Sequence, residues 1–202
     1  MNKKINIVML SKIMFLLLLL FITGCGHGIA YNLQATDDLG GKKVLAGRIL
    51  FYDNDAPVDR SQSAWMMFFN KEGDKKAKIV LPDEDGYIYV PVTAGVYKFG
   101  NVYIMKPMIA SINFNMLKFP SVTVNDNDSA VNFGTYKVKY YLSGGEKVAA
   151  AFSLYGGRLE IEHVPDYDIT RSIISTKIGT AMPLTDGKVT FVDRVQNDPL
   201  IP

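Results

Sequence analysis

Short apolar runs separated by turn-forming residues make up the chain from Val44 onward, and this punctuation constrains the fold more than any other feature. The runs are rich in Val, Ile, Tyr and Phe, and clusters of Gly, Pro, Asn and Asp divide them. The pattern is typical of an all-β domain, and the number of runs suits a sandwich. The predicted strands are Val44–Tyr52, Ser63–Asn70, Ala77–Leu81, Tyr87–Val92, Val96–Met105, Ser111–Leu117, Ser121–Val124, Val131–Leu142, Arg158–His163 and Lys188–Asp193.

Two local patterns refine this prediction. Asp85-Gly86 stands between two apolar runs and predicts a tight hairpin, because glycine supplies the positive φ that such a turn needs. Ala64–Phe69 is apolar at every position, which favours a central strand covered on both faces.

The alternation of side-chain types within Val131–Tyr141 predicts one solvent-exposed face and one buried face. The solvent-exposed face carries Lys137 and Lys139 near the end of the strand, because successive side chains point to opposite sides. The buried face carries Tyr136, Val138 and Tyr140.

Residues 44–105 contain an ordered set of short motifs. These are Gly47-Arg48-Ile49, Ala56-Pro57-Val58, Asp83-Glu84-Asp85-Gly86-Tyr87 and Ala94-Gly95-Val96-Tyr97. The order resembles that of carboxypeptidase-regulatory-like and collagen-adhesin B-type domains, although Thr93-Ala94 replaces the usual Pro-Pro. The resemblance implies a prealbumin-like Greek-key β-sandwich without catalytic residues, of the kind that serves as a stalk, scaffold or accessory module.

The segment after Leu142 is predicted to extend the same domain. Residues 143–196 contain glycine pairs, short apolar runs and a helix over Ile169–Ile178, with Asp168 as its N-cap. Ile169, Ile173, Ile174 and Ile178 share one face of that helix. A separate domain of about 60 residues without disulfides is marginal, so we expect added strands and a helix on the sandwich, followed by a tail over 197–202.

The amino-terminal residues have the order of a secretory signal. Lys3, Lys4 and Lys12 precede an unbroken apolar run from Ile13 to Ile22. Ten apolar residues are too few for a bilayer span, which takes about 20, so residues 1–24 are predicted to be a cleaved signal peptide.

The run ends at Ile22-Thr23-Gly24-Cys25, which resembles the lipobox of bacterial lipoprotein precursors. The resemblance implies diacylglyceryl transfer to Cys25, cleavage before it and attachment to the membrane through the lipid, because two or more acyl chains hold firmly. Position 26 is Gly rather than Asp, which under the enterobacterial sorting rule favours the outer membrane of a Gram-negative cell. Residues 25–42, with four glycines and an acidic pair, are predicted to form a flexible tether.

Charge argues against nucleic acid as a partner. The chain without its first 24 residues keeps 19 basic residues and all 20 acidic ones, so its net charge is about −1. Cys25 is the only cysteine, so after acylation no disulfide is possible, and the sandwich over residues 43–142 must depend on its core.

Few residues in the sequence have the type and spacing that catalysis needs. We therefore predict no catalytic residue, metal or cofactor. The two histidines, His27 and His163, are not at metal-ligand spacing, and a triad built on His163 with Asp166 or Asp168 lacks a nucleophile elbow. Asp53-Asn54-Asp55 and Asn125-Asp126-Asn127-Asp128 are read as turns, with calcium loops as the alternative. The aromatic residues are read as core, with a sugar-stacking platform as the alternative; they are Trp65, Tyr87, Tyr89, Tyr97, Tyr103, Tyr140 and Tyr141.

Two classes of function remain. The first is a lipid-anchored, non-enzymatic binding or structural module of the bacterial cell envelope, whose partner is the membrane and an envelope protein or polysaccharide. The second is a carbohydrate-active or other hydrolase accessory protein, whose carboxylates only the fold brings together. Two carboxylates about 5–10 Å apart in a concave pocket would favour the second class.

Overall fold

β-strands account for most of the chain that the structure describes, which confirms the all-β class. The computed structural model describes residues 28–34, 37–58, 64–105, 112–113, 118–141, 154–155, 158–178 and 183–193. The signal peptide, Cys25 and the tail 197–202 lie outside these residues. The strands are β1 (Gly28–Ala30), β2 (Lys43–Asp53), β3 (Ala56–Pro57), β4 (Ala64–Lys71), β5 (Lys78–Val80), β6 (Tyr87–Val92), β7 (Gly95–Met105), β8 (Ile112–Asn113), β9 (Lys118–Val124), β10 (Ala130–Tyr141), β11 (Leu154–Tyr155), β12 (Arg158–Val164), β13 (Leu184–Asp186) and β14 (Val189–Asp193), and the helix is α1 (Tyr167–Ile178).

The long strands form two mixed sheets. The first sheet has the order β1-β5-β4-β7-β9-β14, and only its β1–β5 pair is parallel. The second has the order β12-β10-β2-β3, with β13 beside β10 and β6 beside β2. Its central pair, β2 and β10, is parallel. Strand β4 is internal in its sheet, and Met67, Phe68 and Phe69 are all buried, as the unbroken apolar run predicts.

Side chains from both sheets meet in one aromatic core. The ring of Phe99 on β7 lies 5.2 Å from that of Phe133 and 5.3 Å from that of Tyr136, both on β10. Edge and offset ring contacts of this kind stabilise a core beyond the area that they bury. The two sheets therefore pack face to face around these rings.

A β-bulge between Asn132 and Thr135 changes the alternation of β10. Strict alternation puts Phe133 and Tyr136 on opposite faces, yet both rings enter the core and stack at 4.5 Å. The bulge adds one residue to the strand. Each side chain after it therefore points to the face opposite to the one that strict alternation gives. The prediction for the end of the strand is confirmed, because Lys137 and Lys139 are partly exposed while Tyr136, Val138 and Tyr140 are buried.

A second, smaller core lies on the outer face of the second sheet, beneath α1. Val44, Ala46 and Ala130 of the sheet meet Ile174 and Ile178 of the helix there. The predicted helix is present, but it begins at Tyr167 rather than after Asp168, which lies in its first turn. Ile169 is 59% exposed, so the predicted face is wrong at that position. In the part of the chain that the structure describes, no helix is long and apolar enough to span a membrane.

The Asp85-Gly86 turn is present, but the predicted hairpin is wrong. Gly86 has φ +91°, as such a turn requires, yet β5 belongs to the first sheet and β6 to the second. The turn docks on β2 instead, where the Ile49 N–H donates to the Gly86 carbonyl at 2.7 Å. The connection therefore crosses from one sheet to the other.

Part of the segment predicted as a tether is fastened to the domain. β1 pairs with β5. The Asn32 amide then bonds the backbone of Tyr87 and Tyr89, at 3.2 Å and 2.9 Å, and the Leu33 side chain is buried. The Tyr31 side chain, in contrast, is 68% exposed. An amide that satisfies both a backbone donor and a backbone acceptor fixes this segment, so residues 28–34 belong to the folded domain.

Candidate functional site

The described chain begins close to the predicted lipidation site. Cys25 and the other lipobox residues, Ile22, Thr23 and Gly24, lie outside the described residues. Gly28, three positions after Cys25, lies opposite Lys78 in the β1–β5 pair. Because three extended residues reach at most about 10 Å, a group on Cys25 stays close to this edge of the first sheet.

A basic cavity of about 150 Å³ lies at the same end of the sandwich, and we call it the basic cavity hereafter. Lys42 precedes β2, Lys71 ends β4 and Lys78 begins β5, and all three line the cavity. Asp74 is the one carboxylate in its wall. Three lysines and one carboxylate give the cavity a positive charge, whereas the chain beyond residue 24 is nearly neutral.

Hydrogen bonds hold one wall of the basic cavity in place. The Lys71 ammonium donates to the Thr93 hydroxyl at 2.9 Å, and the Tyr97 hydroxyl donates to the Thr93 carbonyl at 2.7 Å. Burial raises the pKa of Tyr97, so its hydroxyl stays protonated as a donor. The Asn70 amide donates to the Asp74 carbonyl at 3.2 Å, and its buried oxygen accepts no hydrogen bond from the described residues. An acceptor of this kind is satisfied by water or by a donor group of a ligand.

The lysines of the cavity differ in how far they are already engaged. Lys71 is held by Thr93, whereas Lys42 and Lys78 are exposed and form no ion pair with the described residues. Two cations without a partner among the described residues and a third in a fixed position suit an anionic ligand.

A second cavity, of about 340 Å³, lies beside β2 and the β5–β6 turn. Two of its charged residues, Arg48 and Asp85, already have partners. Arg48 donates to the Asp85 carbonyl at 3.0 Å and lies 5.1 Å from the centre of the Tyr87 ring, and the Asp85 carboxylate pairs with Lys177 at 2.9 Å. The hydrogen bond from Lys177 lowers the pKa of Asp85, which therefore makes a poor general acid. Glu84 is the second carboxylate at this cavity.

A buried polar cluster connects the β10 bulge to the start of α1. The Asn132 amide donates to the Thr170 hydroxyl at 2.8 Å and to the Tyr167 carbonyl at 3.0 Å. The Asp166 carboxylate accepts from the Thr135 hydroxyl at 2.8 Å. Each of these groups is used to position the helix on the sheet, so we assign the cluster a structural role.

His163, on β12, contacts the β10 bulge beside this cluster. Its Nε2 lies 2.8 Å from the Phe133 carbonyl, which accepts the proton of that nitrogen. Asp168 is exposed and pairs with Arg171. Both Asp166 and His163 flank Gly134, where an added Cβ would lie 3.4 Å from each. His27 lies outside the described residues.

The two acidic clusters form turns. Asn54 and Asp55 have φ values of +46° and +70° and make the two-residue loop between β2 and β3. The Asp128 carboxylate accepts from the Asn125 N–H at 2.7 Å and so closes the second turn. Within the described residues, no group of three or more His, Cys, Asp or Glu side chains is arranged to hold a metal.

Most of the described aromatic side chains belong to the core. Tyr87, Tyr97 and Tyr140 are buried, which favours the core interpretation over a sugar platform for these three residues. Desolvation raises the pKa of the fully buried Tyr136 well above its ordinary value. The side chains of Trp65 and Tyr103 lie outside the described residues.

Sequence reasoning missed the basic cavity. Its lysines are far apart in the chain, at positions 42, 71 and 78, and strand pairing brings them together. One signal was present, because residues 71–78 read Lys-Glu-Gly-Asp-Lys-Lys-Ala-Lys, with four lysines in eight positions. A charge run in a predicted loop is usually only a solvated surface, and its link to Lys42 depends on the fold.

Comparison with known proteins identifies no family for this chain. No protein-family model matches it, and no curated protein matches it. Among solved structures, catechol 1,2-dioxygenase from Pseudomonas arvilla C-1 aligns with 9% identity and a TM-score of 0.23, over 67% of this chain and 54% of that one. Catechol 1,2-dioxygenase from Acinetobacter sp. ADP1 inhibited by bound mercury aligns with 8% identity and a TM-score of 0.20, over 85% of this chain and 59% of that one. The chain thus spans little more than half the length of either enzyme.

Proposed function

We propose that the chain is the precursor of a bacterial lipoprotein and that its folded part is a non-enzymatic binding or structural module at the membrane surface. The observation that carries this proposal is Ile22-Thr23-Gly24-Cys25 at the end of a charged and then apolar leader. Cys25 receives the lipid, and the signal over residues 1–24 is removed.

The start of the folded part is compatible with this processing. All the described residues, from 28 to 193, follow the proposed cleavage site, so cleavage removes no described strand and no described core residue. The fold also needs no thiol from Cys25, because its described core is built from apolar and aromatic side chains. The two-sheet architecture, with the parallel β2–β10 pair at its centre, supports a prealbumin-like sandwich as the finer fold.

A binding or structural role is supported by the way in which the titratable groups are used. His163, Asp166 and Asp85 each hold one element of the fold to another through a hydrogen bond or an ion pair. Gly26 in place of Asp supports the outer membrane as the location in a Gram-negative cell. The partners are then the membrane itself and an envelope protein or polysaccharide.

Lipidation is tested by growth with labelled palmitate. We expect the parent chain to incorporate the label and Cys25→Ala to lose it, because the thioether forms on that sulfur. His27→Ala is the matched control, since it changes a nearby residue outside the lipobox and should leave incorporation unchanged. Equal labelling of the parent and Cys25→Ala would overturn the proposal.

A further inference from the structure

The basic cavity has the chemistry of a phosphate site. Lys42, Lys71 and Lys78 approach it from three different elements, and Asp74 is the single opposing carboxylate. Ammonium groups act as point charges that suit phosphate oxygens. A cavity of about 150 Å³ has room for several water molecules and therefore for the phosphate of a headgroup.

The surface around the cavity extends the positive charge. Lys75 and Lys76 lie on the exposed loop between β4 and β5, and they form no ion pair with a described residue. Residues 71–78 contain four lysines against Glu72 and Asp74, so this loop keeps a net positive charge. An anionic surface attracts such a cluster, and the attraction decays within a Debye length, so the loop must lie close to that surface.

The position of Gly28 indicates which anionic surface the cavity faces. Gly28 lies opposite Lys78, and Cys25 is three residues earlier. A lipid on Cys25 therefore holds the basic cavity next to the headgroups of the same bilayer. A short link gives a high effective concentration, so even a weak site is occupied.

We propose that the basic cavity binds the phosphate of a membrane-lipid headgroup and so fixes this end of the sandwich against the bilayer. The inference rests on the proposed function, because the lipid on Cys25 brings the cavity to the membrane. Lys42 and Lys78 contact the phosphate oxygens. The hydrogen bond to Thr93 fixes the position of the Lys71 ammonium at the cavity wall. Lys75 and Lys76 lie over the neighbouring headgroups.

The test uses the intact lipidated chain, purified in glycoside detergent and reconstituted into phosphatidylcholine vesicles that contain phosphatidylglycerol. A water-soluble amine reagent labels exposed lysines, and mass spectrometry reads the rate at each one. Relative to the micelles, we expect Lys42, Lys75, Lys76 and Lys78 to react about fivefold more slowly in vesicles. Lys118, an exposed lysine that begins β9 at the opposite end of the sandwich, is the internal control and keeps its rate.

Variants test whether the cavity causes the protection. Lys42→Gln combined with Lys78→Gln should restore at least half of the reactivity of Lys75 and Lys76 in vesicles. Lys118→Gln should restore none of it. Both changes concern exposed side chains, so the fold is retained and can be checked by circular dichroism.

The outcomes separate this inference from lipidation itself. Flotation of the vesicles is measured on the same samples. A chain that floats while Lys78 and Lys118 react at unchanged rates overturns the headgroup site and leaves lipidation standing. A chain that does not float overturns both. Protection of Lys42 and Lys78 by inorganic phosphate in micelles, with none from vesicles, shows a site for free phosphate and overturns the lipid assignment.

Discussion

Gly134 is the residue on which the geometry of β10 depends. It has φ +73° and lies inside the bulge, and its N–H donates to the Asn132 side-chain oxygen at 3.0 Å. A Cβ at this position would lie 2.7 Å from the Val164 carbonyl oxygen. Glycine is therefore required twice, once for the backbone conformation and once for the close approach of β12. With the bulge in place, Phe133 and Tyr136 can both enter the core.

Gly134→Ala should lower the free energy of unfolding by about 2–4 kcal/mol, because a left-handed φ and a collision with fixed backbone add. Gly73→Ala is the matched control. Gly73 has φ +89° with open space around it, so it carries the conformational penalty alone, about 1–2 kcal/mol. Urea denaturation of both variants measures the difference. Equal losses would mean that the close approach to Val164 costs nothing.

At the scale of elements, α1 is held to the second sheet by one apolar stripe. Ile174 is fully buried in the outer core, whereas Ile169 is 59% exposed. Ile174→Ala should cost about 2–5 kcal/mol, since it leaves a cavity between helix and sheet. Ile169→Ala should change stability by about 0.5 kcal/mol or less. Thermal or urea unfolding checks both, and a large loss for Ile169→Ala would mean that the helix presents a different face.

The end of α1 is tied to the β5–β6 turn by charge. Lys177 lies 2.8 Å from the Asp83 carboxylate and 2.9 Å from that of Asp85. These hydrogen bonds raise the pKa of Lys177, and the bond from Lys177 lowers that of Asp85. A raised lysine pKa stabilises the fold below the ordinary lysine pKa, and a lowered aspartate pKa stabilises it above the ordinary aspartate pKa. The contribution is therefore complete between about pH 5 and 10.

Lys177→Met should be less stable than the parent at neutral pH, and the gap should shrink in acid as the pH falls through the lowered pKa of Asp85. The gap should also shrink in strong base, as the pH rises through the raised pKa of Lys177. Urea midpoints across this pH range measure it. Lys188→Met, which removes a lysine without an ion pair to the described residues, should show no such trend. A gap that stays constant in acid would show that the carboxylates contribute nothing.

The positions of the long strands could be predicted because glycine, proline, asparagine and aspartate mark their ends in the sequence. Which strands pair with each other was harder to predict from the sequence, as the turn at Gly86 illustrates. Its positive φ could be predicted, but the docking of its turn on Ile49 depends on β2, which is far away in the chain. Strands of two or three residues, such as β1 and β13, are too short to show alternation. The basic cavity could not be predicted because Lys42 joins Lys71 and Lys78 only through the pairing of the strands.

At the scale of the whole molecule, our proposal places the lipid anchor and the basic cavity at one end of the sandwich. Lys118, which pairs with Asp193, begins β9 at the opposite end, away from Val124, which lies opposite Gly95. The docking of Asn32 and Leu33 keeps the folded part close to Cys25. On our proposal, the sandwich therefore does not stand off from the bilayer on a long tether, and the far end is the part available to an envelope partner.

A longer link between Cys25 and the sandwich should weaken the contact with the membrane without weakening attachment. Ten Gly/Ser residues inserted between His27 and Gly28 span roughly 17 Å, so the effective concentration of the cavity at the headgroups falls. We expect the vesicle-dependent protection of Lys75 and Lys76 to fall at least about threefold, while flotation and palmitate labelling stay at the parent level. The same insertion after Pro202 is the control and should change nothing. Full protection with the longer link would show that the basic cavity holds the bilayer without help from a short tether.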